Sequence, residues 1–124
     1  MPTRSEIVVK CDAYIAAVSA GDVDAIMALY SGAAVVEDPV GTDPKVGPDA
    51  IRAFYEQSVA FKLDCKRMGP VTVVGNRAAF MFSVEVDLGA SKLAMATIDV
   101  MTFDDDGKVL TMTAYADGDA NPEG

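Results

Sequence analysis

The hydrophobic rhythm of the chain changes near residue 60. In the first half Ile7, Cys11, Tyr14, Ile15 and Val18 recur at the spacing of one helical face. Thr3, followed by Glu6, forms the capping-box signature that starts such a helix. Gly21 ends it, and Asp22 caps a second, shorter helix carrying Ile26, Met27, Leu29 and Tyr30. "AAVVED" then reads as a strand that stops at Pro39, and "VGTDPKVG" as a loop. Pro48 suits the first turn of a third helix, with Ile51, Phe54, Tyr55 and Ser58 along one side.

Beyond residue 60 the period shortens to that of strands. "KLDCKRM", "VTVV", "RAAFMFSVEVD", "KLAMATIDVMTF" and "KVLTMTAY" are strand-like, separated by "GP", "GN", "LGAS" and "DDDG" turns. Connections this short make the sheet antiparallel. The expected architecture is α+β, a curved antiparallel β-sheet packed against three N-terminal helices. Its lining, Phe80, Phe82, Val84 and Val86 on one strand, leaves either a filled core or an apolar pocket. The chain is expected to be one domain, residues 1–124, with about 118–124 as a flexible polar tail.

One polar residue breaks the strand pattern. In "ATIDVMTF", period-two alternation puts Asp99 on the same face as Leu93, Met95, Met101 and Phe103. No Lys or Arg shares that face, and an ionised carboxylate buried without a partner costs several kcal/mol. Such a group takes up a proton, because desolvation raises an acid's pKa. Asp99 is therefore expected to be a neutral acid, and hence a hydrogen-bond donor.

Composition narrows the chemistry further. The 124 residues contain no histidine, which removes Ser-His-Asp and Cys-His nucleophile systems and most zinc sites. Acid–base work must then fall to carboxylates, tyrosines, cysteines or lysines. A net charge of −9 argues against nucleic acid and anionic membranes as partners. No apolar run approaches the roughly 20 residues of a membrane span, and the N-terminus lacks a signal-peptide layout, so a cytoplasmic location is expected. Cys11 and Cys65 are read as reduced, buried thiols.

Two further polar residues sit near apolar ones. Tyr14 lies on the apolar side of the first helix, where an ordinary core tyrosine would also lie. Asp38 ends a strand before Pro39, a place equally natural for a turn starter. Together with Asp99 they make a coherent set. A neutral acid and a tyrosine can converge on one oxyanion, while an ionised aspartate acts as base. That equipment removes a proton beside a carbonyl and holds the resulting enolate, without metal or histidine.

The segments "YIAAVSAGDVDAIMALY", "VEDPVG", "IRAFYEQS" and "IDVMTFDDDGKVLTMTAY" resemble the ketosteroid isomerases, within the nuclear-transport-factor-two-like superfamily of cone-shaped folds. The match runs in register from about residue 7 to 116. The resemblance implies that Tyr14 donates to the substrate's 3-keto oxygen, that Asp38 moves the proton, and that Asp99 is the second, neutral oxyanion donor. It implies that Tyr30 and Tyr55 stand behind Tyr14 as a supporting hydrogen-bond network. It also implies a cofactor-free homodimer acting on 3-oxo-Δ5-steroids. The substrate is expected against Phe54, Phe82, Val84, Met101, Met112 and Ala116. At the last position family members often carry an aromatic residue that walls the base. Other readings of the same scaffold are a non-catalytic small-molecule-binding or dimerisation module, and another proton-transfer or hydrolytic enzyme on an isoprenoid or polyketide ring.

Overall fold

The computed structural model describes all residues, Met1–Gly124. Helix α1 (Arg4–Ala20) begins at the capping box: the Thr3 side chain accepts from the Glu6 N–H and the Glu6 carboxylate accepts from the Thr3 N–H. It stops where Gly21 turns left-handed, with φ 68°. Helix α2 (Val23–Leu29) is capped by Asp22, and α3 (Pro48–Ser58) carries proline in its first turn. No helix is long and apolar enough to cross a membrane.

The strands are β1 (Tyr30–Glu37), β2 (Lys45–Val46), β3 (Lys62–Val74), β4 (Arg77–Asp87), β5 (Lys92–Phe103) and β6 (Val109–Asp117). They form one open, curled sheet in the order β2-β1-β6-β5-β4-β3. The three helices lie on one side, giving the α+β class expected. Tyr30 opens β1 rather than closing α2, and the expected loop after Pro39 contains the two residues of β2. "KLDCKRM" and "VTVV" are one strand, β3, whose register slips between Met68 and Thr72 around Gly69 at φ 77°. That irregularity bends the strand without ending it.

The antiparallel expectation holds for β3 through β6 and for β1 with β2, but β1 lies parallel to β6. Short connections dictate the direction only of neighbours they join. β1 and β6 are separated by most of the chain, so turn length carried no information about them. The terminal segment expected to be flexible turns at Asp117–Ala120, and the Ala96 N–H donates to the Ala120 carbonyl at 3.1 Å.

Cross-strand register divides the concave face into rows. Ala78, Met101 and Met112 form one row; Phe80, Asp99 and Ala114 the next; Phe82, Thr97 and Ala116 the one after. The first row is sealed into a core with Ile7, Cys11, Phe103 and Val109. The third faces a cavity. The concave face is thus filled at one end and hollow at the other, and Asp99 stands at the boundary.

Candidate active site

The hollow end holds a cavity of about 350 Å³ between α1, α3 and the strands β3–β6. Tyr14, Asp38 and Asp99 all line it, together with Phe54, Tyr55, Phe82, Val84 and Ala116. Each carrier positions its side chain for a local reason. α1 turns its apolar stripe to the sheet, so Tyr14 points inward. β1 ends at Glu37, and Asp38 follows where the Val40 N–H still holds the Ala114 carbonyl at 2.9 Å. β5 alternates strictly here, which buries Thr97, Asp99 and Met101 and turns Ile98 outward.

Two residues expected to touch the ligand do not line this space. Met101 and Met112 are fully buried in the row below Asp99, packed against the core. Alternation along a strand identifies the face but not how far along it the packing stops. Tyr30 is likewise behind the cavity wall. Lining residues that the pattern did not single out include Leu63, Cys65 and Met95; their inward alternation was the available signal. Thr97 also lines the cavity, its hydroxyl donating to the Tyr115 carbonyl at 3.2 Å.

Three tyrosines form a chain. The hydroxyls of Tyr30 and Tyr55 lie 2.5 Å apart, and those of Tyr55 and Tyr14 lie 2.8 Å apart. A hydroxyl both donates and accepts. If each donates toward the cavity, Tyr55 satisfies Tyr14 and leaves the Tyr14 proton free for a ligand. Burial raises all three phenols well above their ordinary range, so they stay protonated donors.

Asp99 is 2% exposed and joins none of the protein's four ion pairs. Burial first, and the Asp38 carboxylate second, push its carboxyl well above the usual range. No fully buried side-chain polar atom lacks a hydrogen-bond partner. Asp99 makes no such bond to the protein, so its carboxyl must open onto the cavity. Asp38 is half-buried; desolvation raises it too, and the Lys45 ammonium pulls it back. Burial raises both carboxyls, Asp99 much further, and only Asp38 has a cation nearby to oppose it. Cys65 contributes only bulk, because burial lifts its thiol to about 11.

The comparisons with known proteins bear on the family and the fold. A SnoaL-like domain matches residues 11–112. The chain belongs to the SnoaL-like domain family. This family sits in the nuclear-transport-factor-two-like superfamily, as do the ketosteroid isomerases. A steroid Delta-isomerase of Nocardioides simplex is 42% identical over 107 residues, covering 86% of each chain. Among solved structures, the epoxide hydrolase/cyclase-like enzyme SalBIII, described in pyran ring formation in polyether salinomycin, superposes with a TM-score of 0.86. That match is 25% identical and covers 94% of this chain and 95% of the other. The SnoaL-like scaffold is thus shared by relatives with different chemistries, and the side chains in the cavity must discriminate between them.

Proposed function

We propose that this protein is an isomerase that moves the double bond of 3-oxo-Δ5-steroids to the conjugated 3-oxo-Δ4 position. The observation that carries the reading is the contrast between two aspartates in one apolar cavity. Asp99 is protonated by desolvation; Asp38 sits beside a cation at the rim. With Tyr14, this gives one base and two neutral donors around a space lined mainly by hydrocarbon.

The reaction follows from those roles. The Asp38 carboxylate takes a proton from carbon 4, and the C–H electron pair moves into a dienolate whose charge gathers on the 3-oxygen. Tyr14 and Asp99 each donate a hydrogen bond to that oxygen. Asp38 then returns the proton to carbon 6, and the double bond is left in conjugation. No atom is gained or lost. A positioned base contributes about 10²–10⁴-fold, and each oxyanion donor about 10²–10³-fold. Affinity for the fused rings comes from apolar burial at roughly 25 cal/mol per Å², before the costs of association.

The test is ultraviolet absorbance, since the conjugated enone absorbs and the starting ketone does not. Androst-5-ene-3,17-dione is expected to gain enone absorbance with the protein. Asp38→Asn is expected to abolish the gain while still binding a planar phenolic steroid. Activity retained in that variant would remove Asp38 as base.

A second reading is favoured by the likeness to SalBIII. A neutral acid that protonates an epoxide oxygen, opposite a carboxylate that activates a hydroxyl, would serve ring closure. Absence of enone formation, with turnover of a hydroxy-epoxide, would select it. A homodimer is part of the isomerase reading. The outward side of the sheet exposes Met81, Ile98 and Tyr115, a surface that a second copy would cover. Sedimentation velocity reads this directly.

A further inference from the structure

Lys45 is a loop-side lysine with an unusual set of neighbours. It pairs across β2 to Val36, two residues before Asp38. Its ammonium donates to the Asp38 carbonyl at 3.0 Å and to the Thr42 hydroxyl at 3.5 Å. The same nitrogen lies 4.8 Å from the centre of the Phe54 ring. Phe54 lines the cavity and meets Tyr55 edge-on, with ring centres 5.0 Å apart. Tyr55 in turn bonds Tyr14. One side chain therefore joins the segment carrying Asp38 to the helix that backs the tyrosine donors.

Lys45 takes part in none of the four ion pairs, so no carboxylate within ion-pair distance cancels its charge. An ammonium held by a carbonyl, a hydroxyl and a ring face is fixed but not neutralised. We propose that Lys45 is the positioning residue of the Asp38 base, fixing its main chain against the Phe54 wall and placing a local positive charge beside its carboxylate. This rests on the isomerase reading for its consequence in catalysis, but not for its consequence in titration.

The other groups around Asp38 cannot play this part. Tyr14 from α1, Tyr30 from β1 and Tyr55 from α3 are neutral phenols, and Asp99 from β5 is a desolvated acid. Ala114 and Ala116 from β6 carry no charge. The adjacent Glu37 carboxylate accepts from the Gly41 N–H at 2.8 Å. Lys45 is the cation that acts on Asp38, and its effect opposes that of burial.

The experiment uses Lys45→Met, which keeps length and loses charge, and Lys45→Arg, which keeps charge. Carbon-13 NMR follows the Asp38 carboxyl through titration in each, with Lys45→Gln as a second neutral variant. The neutral variants are expected to move the Asp38 midpoint up by about half to one pH unit, and Lys45→Arg to leave it near wild type. The acid limb of kcat/KM on androst-5-ene-3,17-dione should move with it. That is a loss of about three- to tenfold on the acid side and little on the alkaline plateau. An unmoved Asp38 midpoint in the neutral variants, or a loss equal at every pH, would overturn the proposal. A moved midpoint in a protein without isomerase activity would keep the role of Lys45 and overturn the isomerase reading instead.

Discussion

Replacing Asp99 by asparagine should make the protein more stable, and increasingly so as pH rises. The side chain is 2% exposed, is flanked in register by Phe80 and Ala114, and has no cationic partner. Burial holds its folded-state pKa well above the unfolded value. The folded protein therefore keeps a proton that the unfolded chain releases above about pH 4. Unfolding then sheds a proton, and stability falls with slope of about 1.4 kcal/mol per pH unit. The loss begins at the unfolded pKa and stops at the folded one. Asparagine has nearly the same shape and cannot titrate, so it escapes this cost. Asp38 titrates in both proteins, and its contribution largely cancels in the difference. Urea denaturation at a series of pH values from about 4 to 8 measures the difference in unfolding free energy. A line rising at about 1.4 kcal/mol per unit is expected over the window in which Asp99 stays protonated. A difference that stays flat with pH would refute the neutral acid, and the oxyanion role would fall with it. Asp99→Leu gives the catalytic counterpart, a loss of about 10²–10³-fold.

Two other substitutions test the geometry from different sides. Tyr55→Phe removes the hydroxyl bonded to both Tyr14 and Tyr30. It should lower kcat by about the strength of one hydrogen bond, roughly two- to tenfold, with KM little changed, as steady-state kinetics would report. Met101→Ala should cost about 2–5 kcal/mol in chemical denaturation while leaving KM near wild type, because the side chain belongs to the sealed row. A large KM effect without destabilisation would return Met101 to the cavity wall.

Only Asp99 violates a periodic rule; Tyr14 and Asp38 sit where ordinary residues would and gain meaning only as a set with it. Asp99 stood out as a carboxyl on an apolar face, and the absence of histidine directed attention to carboxylates and tyrosines. The roles of Tyr30 and Tyr55 came from family resemblance; neither residue breaks its local pattern. What stayed hidden depends on the third dimension. Period two assigns Met101 and Phe82 to one side of the sheet, but only the helices' placement decides which is sealed and which is open. The parallel contact of β1 with β6 joins residues some 75 positions apart, as in Val36 with Met112. Lys45 lay in a stretch read as ordinary loop. Its significance arises only when β2 folds back along β1 and brings it to Asp38 and Phe54.

The division of the concave face into a packed and a hollow half separates two selective pressures. Row by row, Met101 and Met112 answer to folding, while Phe82, Thr97 and Ala116 answer to whatever occupies the cavity. A substitution at exposed Ala116 removes few core contacts. Phe82 lines the cavity but also packs in the core, stacked on Phe80 with ring centres 5.7 Å apart, so its stability cost couples to the row below. Such a scaffold can exchange ligands most cheaply at exposed cavity positions such as Ala116, without renegotiating its fold. That is one physical route by which a steroid Delta-isomerase and a cyclase-like enzyme can have come to share it.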